Sequence, residues 1–252
     1  MSKQSKIYGT QVNKMRSIVM LLSVAVLISC CFYILAAGES EQIVWQRDEK
    51  KVAITFDDGP NPETTTPMLD ALEENYAKAT FFCLGQNAGY YPETVQREYN
   101  LGMEVGTHTY SHVVLTSLSA SALDSEISKS VDAINKAIGV KPSLMRPPYG
   151  AVNKTVLSAV GGYNLCCMNW SLDTEDWKTK NADATYNEVM KAQDGDVVLL
   201  HDIHEYNVDA VKRFVPDLIA EGFQLVTVPE LYEARGETLE AGTVHYRTDP
   251  TT

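Results

Sequence analysis

Apolar and polar positions follow a repeating strand-then-helix order over most of the chain. Short apolar runs of strand length, the first at residues 52–56, are each followed by a segment with helical character. The predicted strands are 52–56, 79–83, 103–106, 143–145, 163–169, 197–200 and 223–227. The predicted helices are 66–76, 92–101, one opened by Ser119, one capped by Asn153, 182–193, 208–221 and 229–234. Seven such units with short connections predict parallel strands joined by right-handed crossovers.

Two architectures fit this order, an open doubly wound sheet and a closed barrel. The chain has no glycine-rich dinucleotide fingerprint after the first strand and no GxxxxGK[ST] motif, which lowers the nucleotide-binding alternatives. We therefore predict an α/β fold, a distorted (β/α) barrel with seven parallel strands. In such a barrel the groups that carry chemistry lie where strands end, in the loops of the C-terminal face.

The N-terminal residues differ from this pattern. A basic segment, 1–17, precedes an uncharged apolar stretch, 18–37, and twenty helical residues span about 30 Å, the thickness of a bilayer core. We interpret 1–17 as a cytoplasmic tail and 18–37 as a transmembrane helix that leaves the rest outside the cell. A cleaved signal peptide and secretion is the alternative, although the stretch exceeds the usual run of about 7–15 residues. LISC at 27–30 also resembles a lipoprotein cleavage box, but the residues after it stay apolar.

The exported part is predicted to contain one folded domain, 51–235, between a tether with an edge strand, 38–50, and a C-terminal tail, 236–252. The chain carries 21 Lys+Arg against 33 Asp+Glu, a net charge of -12. The exported part is more acidic still, because the basic residues of segment 1–17 do not belong to it. An acidic domain repels the phosphate backbone, so nucleic acid is excluded as a partner. The cysteines of the domain lie in apolar runs and are interpreted as buried thiols.

Polar residues follow five of the predicted strands at the point where each strand ends. The clusters are Asp57-Asp58, HTYSH at 108–112, RPPYG at 146–150, DTEDW at 173–177 and His201-Asp202. His108 and His112 are four residues apart, so both rings can face one divalent metal, and a strand-end carboxylate would complete a two-His, one-carboxylate site. Such a site leaves positions open for water and substrate. Zinc is the expected ion, with cobalt, nickel or iron as alternatives.

The remaining polar residues have catalytic interpretations as well. One aspartate of the Asp57-Asp58 pair would bind the metal and the other would take a proton from the attacking water, and local sequence does not decide which. His201 would act as general acid, and Arg146 would keep the base ionised. Asp173 would hydrogen-bond His201 and fix its tautomer. Each residue alone also has a structural explanation as a turn residue, an ion pair or a core histidine.

Aromatic and apolar residues accompany the same strand ends. Tyr149, Trp170 and Trp177 offer flat faces that suit sugar rings, although Trp170 equally fits core packing. Leu199 and Leu200 face opposite sides by strand alternation, so one should line the pocket and the other pack outward.

Together these motifs resemble the polysaccharide deacetylases, the NodB-homology domain of carbohydrate esterase family 4. The resemblance covers residues 51–234 and rests on five stretches met in order. They are TFDDGP at 55–60, HTYSH at 108–112, RPPYG at 146–150, DTEDW at 173–177 and LLHDIH at 199–204. The resemblance implies a distorted seven-stranded (β/α) barrel and metal-dependent hydrolysis of N-acetyl groups on a hexosamine.

The resemblance also divides the roles that the residues alone leave open. It implies that Asp57 is the catalytic base and that Asp58 binds the metal with the two histidines of HTYSH. It implies that the Tyr149 backbone N–H helps to stabilise the oxyanion and that His201 protonates the leaving amine.

An anchored domain outside a bacterial membrane would meet peptidoglycan, so the expected activity is removal of acetyl groups from its N-acetylglucosamine residues. The alternatives are N-deacetylation of chitin oligosaccharides or an exopolysaccharide, and hydrolysis of acetyl esters on xylan. A different class, a non-catalytic glycan-binding membrane protein, is disfavoured because the predicted base, acid and metal ligands are all present.

Overall fold

The computed structural model describes residues 49–249, so the predicted cytoplasmic tail, the predicted transmembrane helix at 18–37 and most of the predicted tether lie outside the described residues. Among the described helices, none combines the length and apolarity needed to cross a bilayer. The described strands pair only in parallel and form a curled (β/α) sheet. They are β1 Lys50–Asp57, β2 Thr80–Cys83, β3 Glu104–Thr107, β4 Leu144–Met145, β5 Cys166–Met168, β6 Leu172–Asp173, β7 Val197–His201, β8 Phe223–Leu225 and β9 Val244–His245.

Helices follow most of these strands, as the sequence pattern predicts. They are α1 Pro62–Glu74, α2 Gly85–Tyr90, α3 Pro92–Asn100, α4 Ala120–Ile138, α5 Lys154–Gly162, α6 Asp176–Thr179, α7 Ala182–Val189, α8 Glu205–Ala220 and α9 Val228–Arg235. Ser119 and Asn153 cap α4 and α5 through their side chains, as predicted. The first helix begins earlier than predicted, because Asn61 caps it and Pro62 takes the first helical position.

The predicted number of seven strands is wrong. Eight strands lie in one order, β6-β7-β1-β2-β3-β4-β5-β9, and β8 pairs with β1 beside that path. The seven predicted strands are all present, and the additional ones are β6 and β9, each two residues long. Two residues are too few to show the alternation by which a strand is recognised. The run from β5 to β6 pairs with β4 at its start and with β7 at its end, which curls the sheet round.

Strand β1 lies at the centre of the sheet and shows why the site forms where it does. Ile54 and Phe56 join the large apolar cluster of the core. Thr55 and Asp57 point to the opposite, inner face by strand alternation, and both contact Arg146 there. The register of β1 against β7 places Asp57 opposite His201. Two predicted site residues on distant parts of the chain are therefore neighbours across one strand pair.

Gly106 in β3 provides a test of how closely this sheet packs. A Cβ at Gly106 would lie 2.6 Å from Phe82 Cδ1 and 3.2 Å from the Leu144 carbonyl oxygen. We expect Gly106→Ala to lower the free energy of unfolding by about 1–3 kcal/mol, the usual cost of overpacking. Gly89 in α2 has open space around it, so Gly89→Ala should stabilise by up to about 1 kcal/mol. Denaturant unfolding of both variants checks the pair, and equal effects would contradict the packing described.

Candidate active site

A cavity of about 410 Å³ lies at the C-terminal end of the sheet. It is lined by Asp57, Asp58, His108, His112, Tyr149, Trp170, Asp173, Trp177, Leu199, His201 and His204. Nine of the ten site residues predicted from sequence are among these, and Arg146 lies beneath them, fully buried. Leu200, the neighbour of Leu199, packs in the core instead, as strand alternation predicts.

Asp58, His108 and His112 form a compact cluster on one side of the cavity. Their potential ligand atoms all lie within 4.8 Å of one another. Asp58 Oδ1 is 3.6 Å from His108 Nε2 and 3.4 Å from His112 Nε2. Ligand atoms around a tetrahedral ion with bonds of about 2.1 Å are separated by roughly 3.4 Å, so the observed spacing fits one metal ion.

Further observations on the same cluster fit a divalent cation. Asp58 Oδ1 is buried and accepts no hydrogen bond from the described residues, a costly state unless a cation lies against it. His108 Nδ1 bonds to the Arg146 carbonyl at 2.7 Å, so Nδ1 carries the proton and Nε2 turns its lone pair to the cluster. Burial lowers the pKa of His108 to about 3, which keeps the ring in the neutral form that binds metals.

Asp57 lies beside this cluster and is held by Arg146. Arg146 Nη1 donates to Asp57 Oδ1 at 2.9 Å and to Thr55 Oγ1 at 2.7 Å. The other guanidinium nitrogens donate to the carbonyls of Met168 and Asn169. Burial raises the pKa of Asp57 above its ordinary value, while the charge of Arg146 opposes that rise. Asp57 is therefore fixed in orientation and more basic than an exposed carboxylate.

His201 faces the cluster from β7 and is held by Asp176. Its Nδ1 lies 2.8 Å from Asp176 Oδ1, and its backbone N–H donates to Asp176 Oδ2 at 2.9 Å. Burial alone would lower the pKa of His201, but the hydrogen bond and charge of Asp176 outweigh burial and raise it to about 9. His201 is therefore protonated at neutral pH, with Nε2 left for a substrate.

The prediction that Asp173 would hold His201 is wrong, because Asp176 occupies that position. Asp173 Oδ1 accepts a hydrogen bond from the Glu175 N–H at 2.9 Å. Glu175 has a left-handed φ of 51°, and this turn starts α6 so that Asp176 lies against His201. Asp176 is buried and also accepts a hydrogen bond from Asn207 Nδ2 at 2.5 Å. Asp173 lines the cavity instead.

Several residues of the site have left-handed backbone conformations without being glycine. The φ angles are 77° at Asp58, 71° at Thr109, 59° at His112 and 60° at Tyr149. Each such conformation costs on the order of 1 kcal/mol or more in an ordinary residue. Backbone strain of this kind is concentrated at functional sites, and no sequence pattern predicts it.

Gly59 follows the two aspartates because a side chain would not fit there. A Cβ at Gly59 would collide with the carboxylate of Asp202. Asp202 is buried, accepts a hydrogen bond from Thr65 Oγ1 at 2.5 Å, and has its pKa raised to about 7 by burial. The turn after β1 therefore rests directly on the residue that follows His201.

His204, Asp176 and Asn207 are parts of the site that sequence reasoning missed. His204 lines the cavity, and its ring stacks on Tyr206 with centroids 4.9 Å apart. Its position three residues after His201, just past the end of β7, is a signal that could have identified it. For Asn207 no local signal exists, since an asparagine in a predicted helix gives no reason to expect a contact with Asp176.

A family model described as polysaccharide deacetylase matches residues 46–166 of this chain. The peptidoglycan-N-acetylmuramic acid deacetylase PdaC of Bacillus subtilis (strain 168) is 42% identical over 189 residues, which is 75% of this chain and 40% of that protein. The peptidoglycan-N-acetylglucosamine deacetylase PgdA of Listeria monocytogenes serotype 1/2a (strain 10403S) is 38% identical over 215 residues, which is 85% of this chain and 45% of that protein. The chain thus spans less than half the length of these two relatives.

A solved structure shows the same similarity in three dimensions. The structure of peptidoglycan deacetylase PdaC from Bacillus subtilis matches this fold with a TM-score of 0.73 and 41% sequence identity. The match covers 76% of this chain and 94% of the chain in that structure. It therefore extends over the fold as a whole.

Proposed function

The chain belongs to the polysaccharide deacetylase family, and on that premise we propose that it hydrolyses N-acetyl groups of N-acetylglucosamine residues in peptidoglycan. The products are acetate and a free amine on the glycan. The observation that carries the proposal is the arrangement of one cavity. A three-residue metal cluster lies beside a buried carboxylate, and a protonated histidine faces both.

Asp58, His108 and His112 would hold the metal ion. Their carboxylate and imidazole donors suit zinc, and they also suit cobalt, nickel or iron. When bound, a divalent ion polarises the acetyl carbonyl and makes water more acidic. The Tyr149 backbone N–H, at the cavity rim beside His112, would donate a hydrogen bond to the developing oxyanion, and such a donor contributes a factor of about 100–1000 to kcat. The Tyr149 and His112 ring centroids are 5.0 Å apart.

Asp57 would be the general base. Water attacks the acetyl carbon, and Asp57 takes a proton from that water. Arg146 keeps Asp57 oriented through the 2.9 Å hydrogen bond to Oδ1, which leaves Oδ2 free for the water. Burial and the opposing charge of Arg146 leave Asp57 with a raised pKa, and a raised pKa makes it a stronger base at neutral pH.

His201 would be the general acid. As the bond between the acetyl carbon and the nitrogen breaks, the electron pair goes to nitrogen and His201 Nε2 gives that nitrogen a proton. Asp176 supports this step because it holds the proton on Nδ1 and raises the pKa of His201 to about 9. Asp57 has gained one proton and His201 has lost one, so exchange with solvent restores both groups.

The lining of the cavity suits N-acetylglucosamine better than N-acetylmuramic acid. Muramic acid carries an additional lactyl group whose carboxylate is anionic when no peptide is attached. The described residues that line the cavity include Asp57, Asp58 and Asp173 but no lysine or arginine. A neutral sugar therefore needs no lysine or arginine partner, whereas a lactyl carboxylate would find none among these residues. Tyr149 and Trp177, 67% and 50% exposed at the rim, offer faces for its ring.

Access to peptidoglycan follows from the N-terminal sequence. The basic segment 1–17 and the apolar stretch 18–37 support a single-pass anchor with the catalytic domain outside the cell. Secretion after signal cleavage would place the same domain on the same side of the membrane. Both arrangements bring the site to the cell wall.

Mass spectrometry of cell wall digests tests the proposal. Purified peptidoglycan is incubated with the zinc-loaded protein, digested to muropeptides and compared with a chelator-treated control. We expect muropeptides that have lost one acetyl group in exchange for hydrogen, with fragmentation assigning the loss to glucosamine. A loss on the muramic acid would support the activity named for PdaC instead. No loss, together with activity on acetylated xylan or chitin oligosaccharides, would overturn the peptidoglycan assignment.

A further inference from the structure

The loop 108–112 carries two of the proposed metal ligands, and contacts within the loop do little to stabilise its conformation. Thr109 and His112 both have left-handed φ angles, 71° and 59°. Neither is a glycine, so an unsupported loop would relax to ordinary conformations. One local bond exists, from the His112 N–H to Thr109 Oγ1 at 3.1 Å. Support for the strained loop must therefore come from other parts of the fold.

The backbone N–H groups of Gly85 and Gln86 donate to the carbonyl oxygens of Thr109 and Tyr110, and Glu126 of α4 holds the N–H groups of the loop with one carboxylate. Its Oε2 accepts hydrogen bonds from the backbone N–H groups of Tyr110, at 3.1 Å, and Ser111, at 2.9 Å. Its Oε1 accepts a third from Ser111 Oγ at 2.8 Å. The two backbone donors lie directly between Thr109 and His112. Both N–H groups are thus fixed at the point where the loop turns.

The helix that carries Glu126 is itself firmly placed. Leu123 and Ile127, on either side of it along α4, are buried in an apolar cluster of the core. Within the part of the chain that the structure describes, Glu126 forms no ion pair with lysine, arginine or histidine. Its recorded hydrogen bonds all go to the loop, which sets it apart from the ion-paired acids on the helix surfaces.

We propose that Glu126 is a positioning residue that sets the affinity of the metal site by holding His112 in place. The inference rests on the metal site of the proposed function, but not on the identity of the substrate. Without the carboxylate, the loop can leave its left-handed conformations, and His112 Nε2 moves away from Asp58 Oδ1, now 3.4 Å distant. His108 is less affected, because its Nδ1 bond to the Arg146 carbonyl fixes it independently.

Metal affinity measured without substrate tests this inference. The full-length metal-free protein and its variants are titrated with Zn²⁺ and with Co²⁺ in competition with a chromophoric chelator. We expect Glu126→Ala to weaken binding of both ions by about 10–100-fold, the range typical of lost support to a metal ligand. Glu126→Gln keeps one acceptor oxygen for the backbone donors, so its metal affinity should lie between those of Glu126→Ala and the wild type. With saturating metal, kcat should recover toward the wild-type value.

Asp132→Asn is the matched control, because Asp132 is an exposed acid of the same helix and its loss removes the same charge. It should leave both Kd values unchanged. An equal loss in Asp132→Asn would show that charge alone sets the affinity, and would overturn the inference. So would a Glu126→Ala or Glu126→Gln protein with a lowered Tm in the metal-free form but an unchanged Kd. A protein that binds metal as expected yet deacetylates no glycan would overturn the proposed function and leave the role of Glu126 intact.

Discussion

Asp57→Asn is expected to retain its bound metal and to lose turnover by a factor of about 100–10,000, the usual contribution of a general base. Asparagine has the size of aspartate and keeps an oxygen toward Arg146, but it cannot accept the proton from water. The measurements are kcat on peptidoglycan and metal content of the purified variant. Leaving the buried Arg146 guanidinium without its counter-charge should also destabilise the protein, by up to about 3–5 kcal/mol.

Asp58→Asn is the matched control for Asp57→Asn, since the two residues are adjacent and the substitution is the same. Asp58 belongs to the metal cluster, and its Oδ1 has no other partner among the described residues. This variant should therefore lose metal as well as activity. If Asp57→Asn kept full activity, the assignment of Asp57 as the base would be wrong. If Asp57→Asn lost the metal while Asp58→Asn kept it, the roles of the two residues would be reversed.

Asp176→Asn is expected to move the alkaline limb of the activity profile to lower pH. The general acid must be protonated, and the pKa of His201 near 9 keeps it so at pH values below about 9. Without the hydrogen bond and charge of Asp176, burial lowers the pKa of His201, opposed only by the charges of Asp57 and Asp58. The active form is then lost at lower pH than in the wild type, so kcat/KM on the alkaline side should fall by about tenfold for each pH unit above the lowered pKa.

Asp173→Asn is the control that separates the two acids of the DTEDW stretch. Asp173 lines the cavity but makes no recorded contact with His201. Its loss should leave the alkaline limb near pH 9, although KM for the glycan can change. A shift of that limb in Asp173→Asn, with none in Asp176→Asn, would contradict the geometry of the site. The profiles of kcat/KM between pH 5 and 10 decide it.

The sequence was most informative where polar residues interrupt strand ends. Parallel strands end on one rim, so Asp57, His108, Arg146 and His201 could be placed together from spacing alone. The division between Asp57 and Asp58 needed the family resemblance, because adjacent residues at a strand end share every local pattern. The structure adds a physical basis, since Arg146 contacts the first aspartate and the histidines surround the second.

The parts that could not be predicted depend on local backbone geometry. Asp173 and Asp176 are both acids of one short motif, and only the left-handed Glu175 determines which of them reaches His201. Glu126 lies on an amphipathic helix, where a charged residue is normally assigned to the solvated face. Strands β6 and β9 are too short for their pattern to be seen. In each case the structure depends on a turn or a long-range contact, and neither is visible in the spacing of apolar residues along the sequence.

The register between β1 and β7 has a consequence for how this site can change. Asp57 and His201 are spaced by backbone pairing of neighbouring strands, whereas Tyr149, Trp177 and His204 lie beyond the strand ends, Trp177 in the short helix α6. In the proposed mechanism, proton transfer therefore depends on residues of the sheet, and sugar binding on residues outside it. We expect that exchanging these segments with those of relatives would redirect the enzyme to another acetylated polymer while the distance between acid and base stays constant. On this proposal, the acid and the base would stay fixed while the segments around them changed the substrate.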